Sequence, residues 1–439
     1  MLLRKITWAG ANLGSYDQGC KALRELLDVE LVPKQAQRVT SQIGSDNVTH
    51  RQELVEQHRC RPLMERVTAP PAVQPADLAV VMMDGGRYQR RDHFQPRDKT
   101  SGVEVAPQPV PQSDQPLDQP AENPLLPPPV EPVLAAAPGS PGRAKTHWRE
   151  DKIGIVLSMQ SQVHDCDPTP EFPEWLARAE VVSQLAHLTG RDEQTGELDG
   201  VAAVLSAVPP ESSPDWPDIA PRLKSREVIA SSADAESFGW HLEWKAWAMG
   251  VPDAPRQAFV ADGQAVNWTI HQRHFSQMTG ILDLMHALSY AWRAAEVLED
   301  RGTYRRYAAW IWRGAVGCVI DELRQHQQRL GRPPSGAAAS DPRERVARAL
   351  TYYENHQHLM HYPAYRQQGL PLTSSHMEST VKLINQRVKG SEKFWRADHA
   401  ESVLQLRADS ISDSKPLDTF WNYWQARQTG SNHYRKVAV

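Results

Sequence analysis

Five apolar residues in a row, Ala79-Val80-Val81-Met82-Met83, follow Asp77 and Leu78 and stop at Asp84. An unbroken run of that length, rich in valine and methionine, predicts a buried strand. Asp84 falls where this strand leaves the core. The alternative is an Asp-Gly hairpin turn, with Arg87-Tyr88-Gln89-Arg90-Arg91 as the return strand. A second apolar strand, 153–159, follows His147-Trp148-Arg149-Glu150-Asp151-Lys152. Val228, Ile229 and Ala230 predict a short third strand. Residues 257–261 predict another, closed by Asp262-Gly263, which repeats the order strand, carboxylate, glycine.

Helical periodicity occupies most of the rest. Ser15 can cap a helix carrying Ala22, Leu23, Leu26 and Leu27. A second helix starts at Pro33 and stops at Gly44, with a short connection over 29–32. Two short helices and a tight turn suit a helix-turn-helix, with Lys34, Arg38 and Ser41 on one face, and equally suit any small helical hairpin. A helix is expected over 173–189. Another spans 233–249, with Trp240, Trp244 and Trp247 as a core face. Residues 281–330 read as all-helical: Leu282, Met285, Leu288 and Trp292 form an apolar stripe, Asp283 and His286 lie three residues apart, and a long helix runs over 304–329. Helical patterns continue over 343–356 and 398–428, the last with Phe420, Trp421, Tyr423 and Trp424. Strands mixed with helices in this way predict an α/β (α+β) fold.

The stretch 369–395 has its own logic. Gly369 and Pro371 punctuate it, Ser375 is the expected N-cap, and the helix can run to Lys389 with Gly390 as its stop. Glu378, Lys382, Asn385 and Lys389 then share one face. A carboxylate heading a cationic face suits a metal ion beside phosphates. Ser375-x-x-Glu378 also reads as a capping box, in which the glutamate only returns a hydrogen bond.

Composition narrows the class. The chain has 439 residues, enough for two or three domains, and is 40% hydrophobic. No apolar run is long enough for a membrane span, and the first residues lack the long apolar region of a signal peptide, so a cytoplasmic protein is expected. Cys20, Cys60, Cys166 and Cys318 form no CxxC pair, which argues against a disulfide framework or zinc knuckle. A net charge of −4 does not advertise nucleic-acid binding, yet residues 380–439 hold ten Lys and Arg against six Asp and Glu. Twelve prolines between Pro107 and Pro141 predict an extended or disordered insertion over 105–142.

Two strand-borne aspartates and a helix-borne glutamate supply the oxygen ligands that a pair of Mg²⁺ ions requires. Such a pair, about 3.5 to 4 Å apart, serves phosphodiester chemistry. The runs VVMMDGGRYQRRD, HWREDKIG, FVADGQAVNWTIHQRHF, ILDLMHALSYAW and GLPLTSSHMESTVKLINQRVKGSEKFW together resemble bacterial insertion-sequence transposases of the ISKra type, relatives of the Mutator-like group. The resemblance spans roughly residues 15 to 410. It implies a ribonuclease-H-like mixed sheet flanked by helices, with a DDE triad of Asp84, Asp262 and Glu378. It also implies an all-helical insertion between the last two acids, and Asp283-x-x-His286 as the accessory Cys/Asp-x-x-His signature near the scissile DNA. The order of segments follows: an N-terminal helical DNA-binding-like segment 1–70, a catalytic core 71–279, the insertion 280–370, and a closing core segment 371–439. Thr373-Ser374-Ser375-His376 departs from the Gly-Ser-Gly that many relatives carry there, and the cysteine-rich N-terminal segment of many relatives is lacking.

The resulting expectation is a DNA transposase using two Mg²⁺ (or Mn²⁺) ions held by Asp84, Asp262 and Glu378. Lys382, Asn385, Lys389, His286, Lys34 and Arg38 would contact double-stranded DNA. It would act as a homodimer or higher oligomer in the bacterial cytoplasm, at the nucleoid. Two rivals share these residues: a metal-dependent nuclease that cuts without joining, and a decayed or repurposed DNA-binding copy.

Overall fold

The computed structural model describes residues 2–91, 148–178, 181, 220–298, 302–390 and 393–429. The proline-rich stretch, and the beginning of the second strand at His147, lie outside them. The described parts of 1–90 and 148–439 belong to one compact unit. It opens with α1 (Leu2–Asn12), α2 (Tyr16–Leu27), α3 (Pro33–Arg59) and the one-turn α4 (Leu63–Arg66). The sheet contains β1 (Leu78–Arg90), β2 (Trp148–Gln160) and β3 (Arg222–Ser231). After α5 (Ala235–Ala248) come β4 (Gln257–Ala261), α6 (Ala265–His274) and β5 (Thr279–Leu282). A helical stretch follows: α7 (Leu284–Glu296), α8 (Thr303–Trp312), α9 (Val316–Leu330), α10 (Pro342–His356) and α11 (Tyr362–Gln367). The described chain closes with α12 (Ser375–Val388), β6 (Phe394–Trp395), α13 (Ala397–Ile411) and α14 (Pro416–Thr429). Among the described residues no helix is long and apolar enough to cross a membrane.

The strands form a mixed sheet in the order β3-β2-β1-β4-β5, and β6 adds to the far end of β1. β2 runs antiparallel to β1 and β3, while β4 and β5 run parallel to β1. β1 is central, so both of its faces are covered, and its apolar run need not alternate with polar residues. Leu78, Val80 and Met82 enter the larger core, shared with α7–α13. Ala79, Val81 and Met83 enter a smaller one, with Phe238 and Leu242 of α5 and Phe259 of β4.

Several expectations from the sequence are corrected. Asp84-Gly85 is no hairpin turn. β1 continues through Arg87 and Tyr88, which pair with Glu150 and Arg149 of β2. α3 does not stop at Gly44. That glycine lies inside the helix where it crosses α13: a β-carbon there would stand 2.6 Å from Ser402 Cβ and 2.8 Å from the Ser402 carbonyl oxygen. Gly44 therefore permits a close helix crossing, not a helix end. Residues 281–330 are not all helix, because Ile281 and Leu282 lie in β5. The predicted helix over 304–329 is two helices, broken at Gly314, whose φ is 71°. The expected helix over 173–189 begins as a 3₁₀ turn, Glu174–Ala177, and Arg178 is extended. Apart from Val181, its remainder lies outside the described residues.

Trp240, Trp244 and Trp247 are not a core face either. Phe238, Leu242 and Ala246 fill that role on α5, and the tryptophans are half-buried at the edge. There Arg61 lies 4.6 Å from the Trp247 ring centroid, and the Trp247 indole donates to the Glu65 and Thr68 carbonyls. Trp240, approached by Arg59 and Arg66, and Trp247 tie the N-terminal helices to α5. Phe420 and Trp421 of α14 are buried with Ile43 of α3.

Candidate metal-binding carboxylate cluster

Register places three aspartates on one level. Met82 pairs with Val260 across β1 and β4, and Ala261 with Leu282 across β4 and β5. Continuing along each chain brings Asp84, inside β1, level with Asp262 and Asp283, the first residues after β4 and β5. The Asp283 amide donates to the Ala261 carbonyl at 2.9 Å, which extends the pairing one step. Alternation then assigns Asp84 and Asp262 to the face of Val80, Met82, Ala258 and Val260, the larger core. α12 covers that face, burying Met377, Val381, Ile384 and Val388 in the same core. Glu378, one residue on from Met377, is carried to the edge of this packing.

The start of α12 differs from the sequence reading. Ser375 is the first helical residue and Ser374 the cap, without a side-chain capping bond. The Ser374 hydroxyl and amide instead donate to Asp283 Oδ2 at 2.5 and 2.6 Å. The helix ends at Val388, so Lys389 is an extended C-cap outside the shared face, 5.9 Å from the Trp148 ring centroid. Lys382 is exposed, and Asn385 is half-buried with an unpartnered Oδ1. Lys34 and Arg38 are exposed on α3, apart from the cluster.

Asp283 caps α7: its Oδ1 accepts from the His286 amide at 2.9 Å. His286 Nδ1 stands 3.4 Å from the same oxygen. One ligand atom each from Asp283, His286 and Glu378 lies within 4.8 Å of the others, a candidate metal-binding group. Asp84 Oδ1 accepts from the Gly85 amide at 2.7 Å. Asp262 Oδ1 accepts from Asn267 Nδ2 at 2.7 Å and from the Gln264 amide at 3.0 Å. Neither Asn267 nor Ser374 was singled out from the sequence. Asn267, one turn into the helix after Asp262, is the more legible of the two.

The charges act on one another. Burial, then Asp283 and Asp84, push the Glu378 carboxyl up to about 8, with His286 opposing. Burial disfavours a charged His286, but its bond to Asp283 and the charges of Asp283, Asp262 and Glu378 raise it well above the ordinary histidine value. Burial would also raise Asp283, yet His286 and Ser374 outweigh it and hold the carboxyl below the ordinary aspartate value. Asp84 thus acts on Glu378 and Asp262 on His286, and the five residues form one electrostatic neighbourhood.

No protein-family model matches this sequence, and no curated protein matches it. What it can do chemically therefore rests on this arrangement: an α/β sheet presenting aspartates at one level, met by a helix-borne glutamate and an imidazole bonded to Asp283.

Proposed function

We propose that the chain is a divalent-metal-dependent DNA transposase with a ribonuclease-H-like core. One observation carries the reading: Asp84 and Asp262 share a level on neighbouring parallel strands, and Glu378 comes down on the same face from α12. The strand order β3-β2-β1-β4-β5 with an antiparallel β2 supports the fold, and the helices α7–α11 between the second and third acids support the insertion.

The donor set fits Mg²⁺ or Mn²⁺, since Asp84, Asp262 and Glu378 are hard oxygen donors. A cation would also offset the burial and the neighbouring carboxylates that together favour the protonated Glu378. Bound there, two such ions would activate an attacking oxygen and neutralise charge at a phosphodiester. Asp84, Asp262 and Glu378 would hold them. Asp283 accepts three hydrogen bonds already, so it serves to position α7 and α12. His286, kept cationic, would face the negative charge of the cut strand. Lys382 is the best-exposed phosphate contact on α12, with Lys389 and Asn385 beside it and Lys34 and Arg38 on the N-terminal helices.

The test uses DNA from both flanks of the coding region, incubated with the protein and Mg²⁺. Cleavage followed by joining of the freed 3′ end into a target is the expected result. Cleavage without joining would make the protein a nuclease. Binding without cleavage at any divalent-ion concentration would leave only the DNA-binding copy.

A further inference from the structure

A cavity of about 260 Å³ lies between α3, β3, α5, α13 and the start of α14, away from the carboxylate cluster. Its walls include Asn47, His50 and Arg51 of α3, Trp244 and Lys245 of α5, and Asp409 of α13. Three of these are ionisable and almost fully buried: Arg51 is 4%, Lys245 8% and Asp409 6% exposed. Buried ionic groups are costly unless their hydrogen-bonding capacity is met.

That capacity is not met. Arg51 donates to Gln405 Oε1 at 2.6 Å and Glu401 Oε1 at 2.8 Å, while its Nε has no partner. Asp409 accepts from the neutral amides of Asn47, at 2.7 Å, and Gln405, at 2.9 Å, and burial pushes its carboxyl up. Lys245 Nζ makes one long contact, 3.4 Å to Glu227 Oε2, and stands 4.9 Å from the Trp244 ring centroid. Glu227 is itself engaged, since its Oε1 accepts from the Ser414 amide at 2.8 Å. An ammonium carries three donors. On the same wall, buried His50 Nδ1 lacks a partner, and its ring stacks on Tyr423 with centroids 3.8 Å apart.

We propose that this cavity binds a small oxyanion-bearing molecule, its carboxylate or phosphate accepting from Lys245 and His50 and its body lying against Trp244. The volume is below the roughly 300 to 1,000 Å³ of sites for drug-sized ligands, so the ligand is small. Its walls come from residues between 47 and 419, so binding ties α3 to the edge of the sheet. The inference is independent of the transposase reading, because none of these residues belongs to the carboxylate cluster.

The test is calorimetric titration and thermal melting of the full chain with inorganic phosphate and, separately, acetate, at ionic strength held constant with NaCl. One-to-one binding and a saturable rise in Tm with one probe are expected, and the responding probe assigns the class. Lys245→Met should weaken binding at least tenfold, and His50→Phe, which keeps the ring stack, several-fold. Arg324→Ala, at an exposed position on α9 outside the cavity, should bind like the parent. No binding of either probe by the parent protein overturns the proposal, and so does unchanged affinity in both Lys245→Met and His50→Phe.

Discussion

Asp84 and Asp262, 178 residues apart in the chain, each lie two residues beyond the Met82–Val260 pair that joins β1 to β4. Asp84 lies within β1, and Asp262 is the first residue after β4. Buried, backbone-paired strands therefore deliver both main chains, and Asn267 and the Gln264 amide fix the Asp262 carboxylate. Glu378 is placed differently, by the docking of a helix, so it is the member whose position and protonation can be perturbed most readily.

Glu378→Gln should change stability with a definite pH signature. An acid whose folded value lies above its unfolded one stabilises fully below the unfolded value and loses that stabilisation as pH rises through the folded one. For Glu378 the window runs from about 4.5 to about 8. In metal-free buffer the parent should lose stability across it relative to Glu378→Gln, by a few kcal/mol at the alkaline end on a scale of about 1.4 kcal/mol per pH unit. Urea denaturation at pH 5 and pH 9 checks this. Parallel pH curves for the two proteins would show that the carboxyl is not held in a repulsive site. Mg²⁺ should stabilise the parent at pH 8 and not the variant.

Ser374→Ala removes the hydroxyl that bonds Asp283 but leaves the amide. A hydrogen bond to a charged group is worth about 1.5 to 3 kcal/mol, and that loss is expected at pH 7. DNA binding should persist while cleavage falls, since α12 loses its tether to α7. A loss below about 0.5 kcal/mol would mean that the amide alone holds the two elements.

Gly44→Ala separates a helix interior from a helix end. In an open helix alanine is better than glycine by about 1 kcal/mol. Here its β-carbon would meet Ser402, including backbone, at under 3 Å. Overpacking of this kind costs about 1 to 3 kcal/mol, so Tm should fall. A rise in Tm would place Gly44 away from α13.

Asp151 should behave as a buried acid held neutral. It is fully buried, neither carboxylate oxygen has a hydrogen-bond partner, and burial pushes it up to about 7. By the same sign rule it stabilises below about 4 and loses that as pH rises through 7. Asp151→Asn should therefore raise the denaturation midpoint at pH 8 and leave it nearly unchanged at pH 4. Equal effects at both pH values would point to packing instead of charge.

Local sequence pattern went far for the strands and stopped at their partners. The apolar run before Asp84 marks a strand, but the continuation through Arg87 and Tyr88 depends on pairing with residues more than sixty positions later. Gly44 carried the signal of a helix end, and only the neighbouring Ser402 explains why it is not one. Asp283 was visible beside His286. Its other partner, Ser374, lies 91 residues away and leaves no periodic trace. Likewise the serine–glutamate spacing at 375–378 matches a capping box, whereas the helix is capped by Ser374 with no side-chain capping bond.

The bond between Ser374 and Asp283 also sets an order of events during synthesis. β1, β4 and β5 can pair, and α7 can form, before Ser374 leaves the ribosome. Until then Asp283 lacks two of its three donors, and the face later covered by α12 exposes apolar surface. Contacts between residues so distant in sequence are slow to form, and exposed apolar faces invite aggregation meanwhile. A chain interrupted between residues 283 and 374 would thus carry both aspartates on a sheet lacking its cover, and would be a substrate for proteolysis before it could be a competitor for DNA.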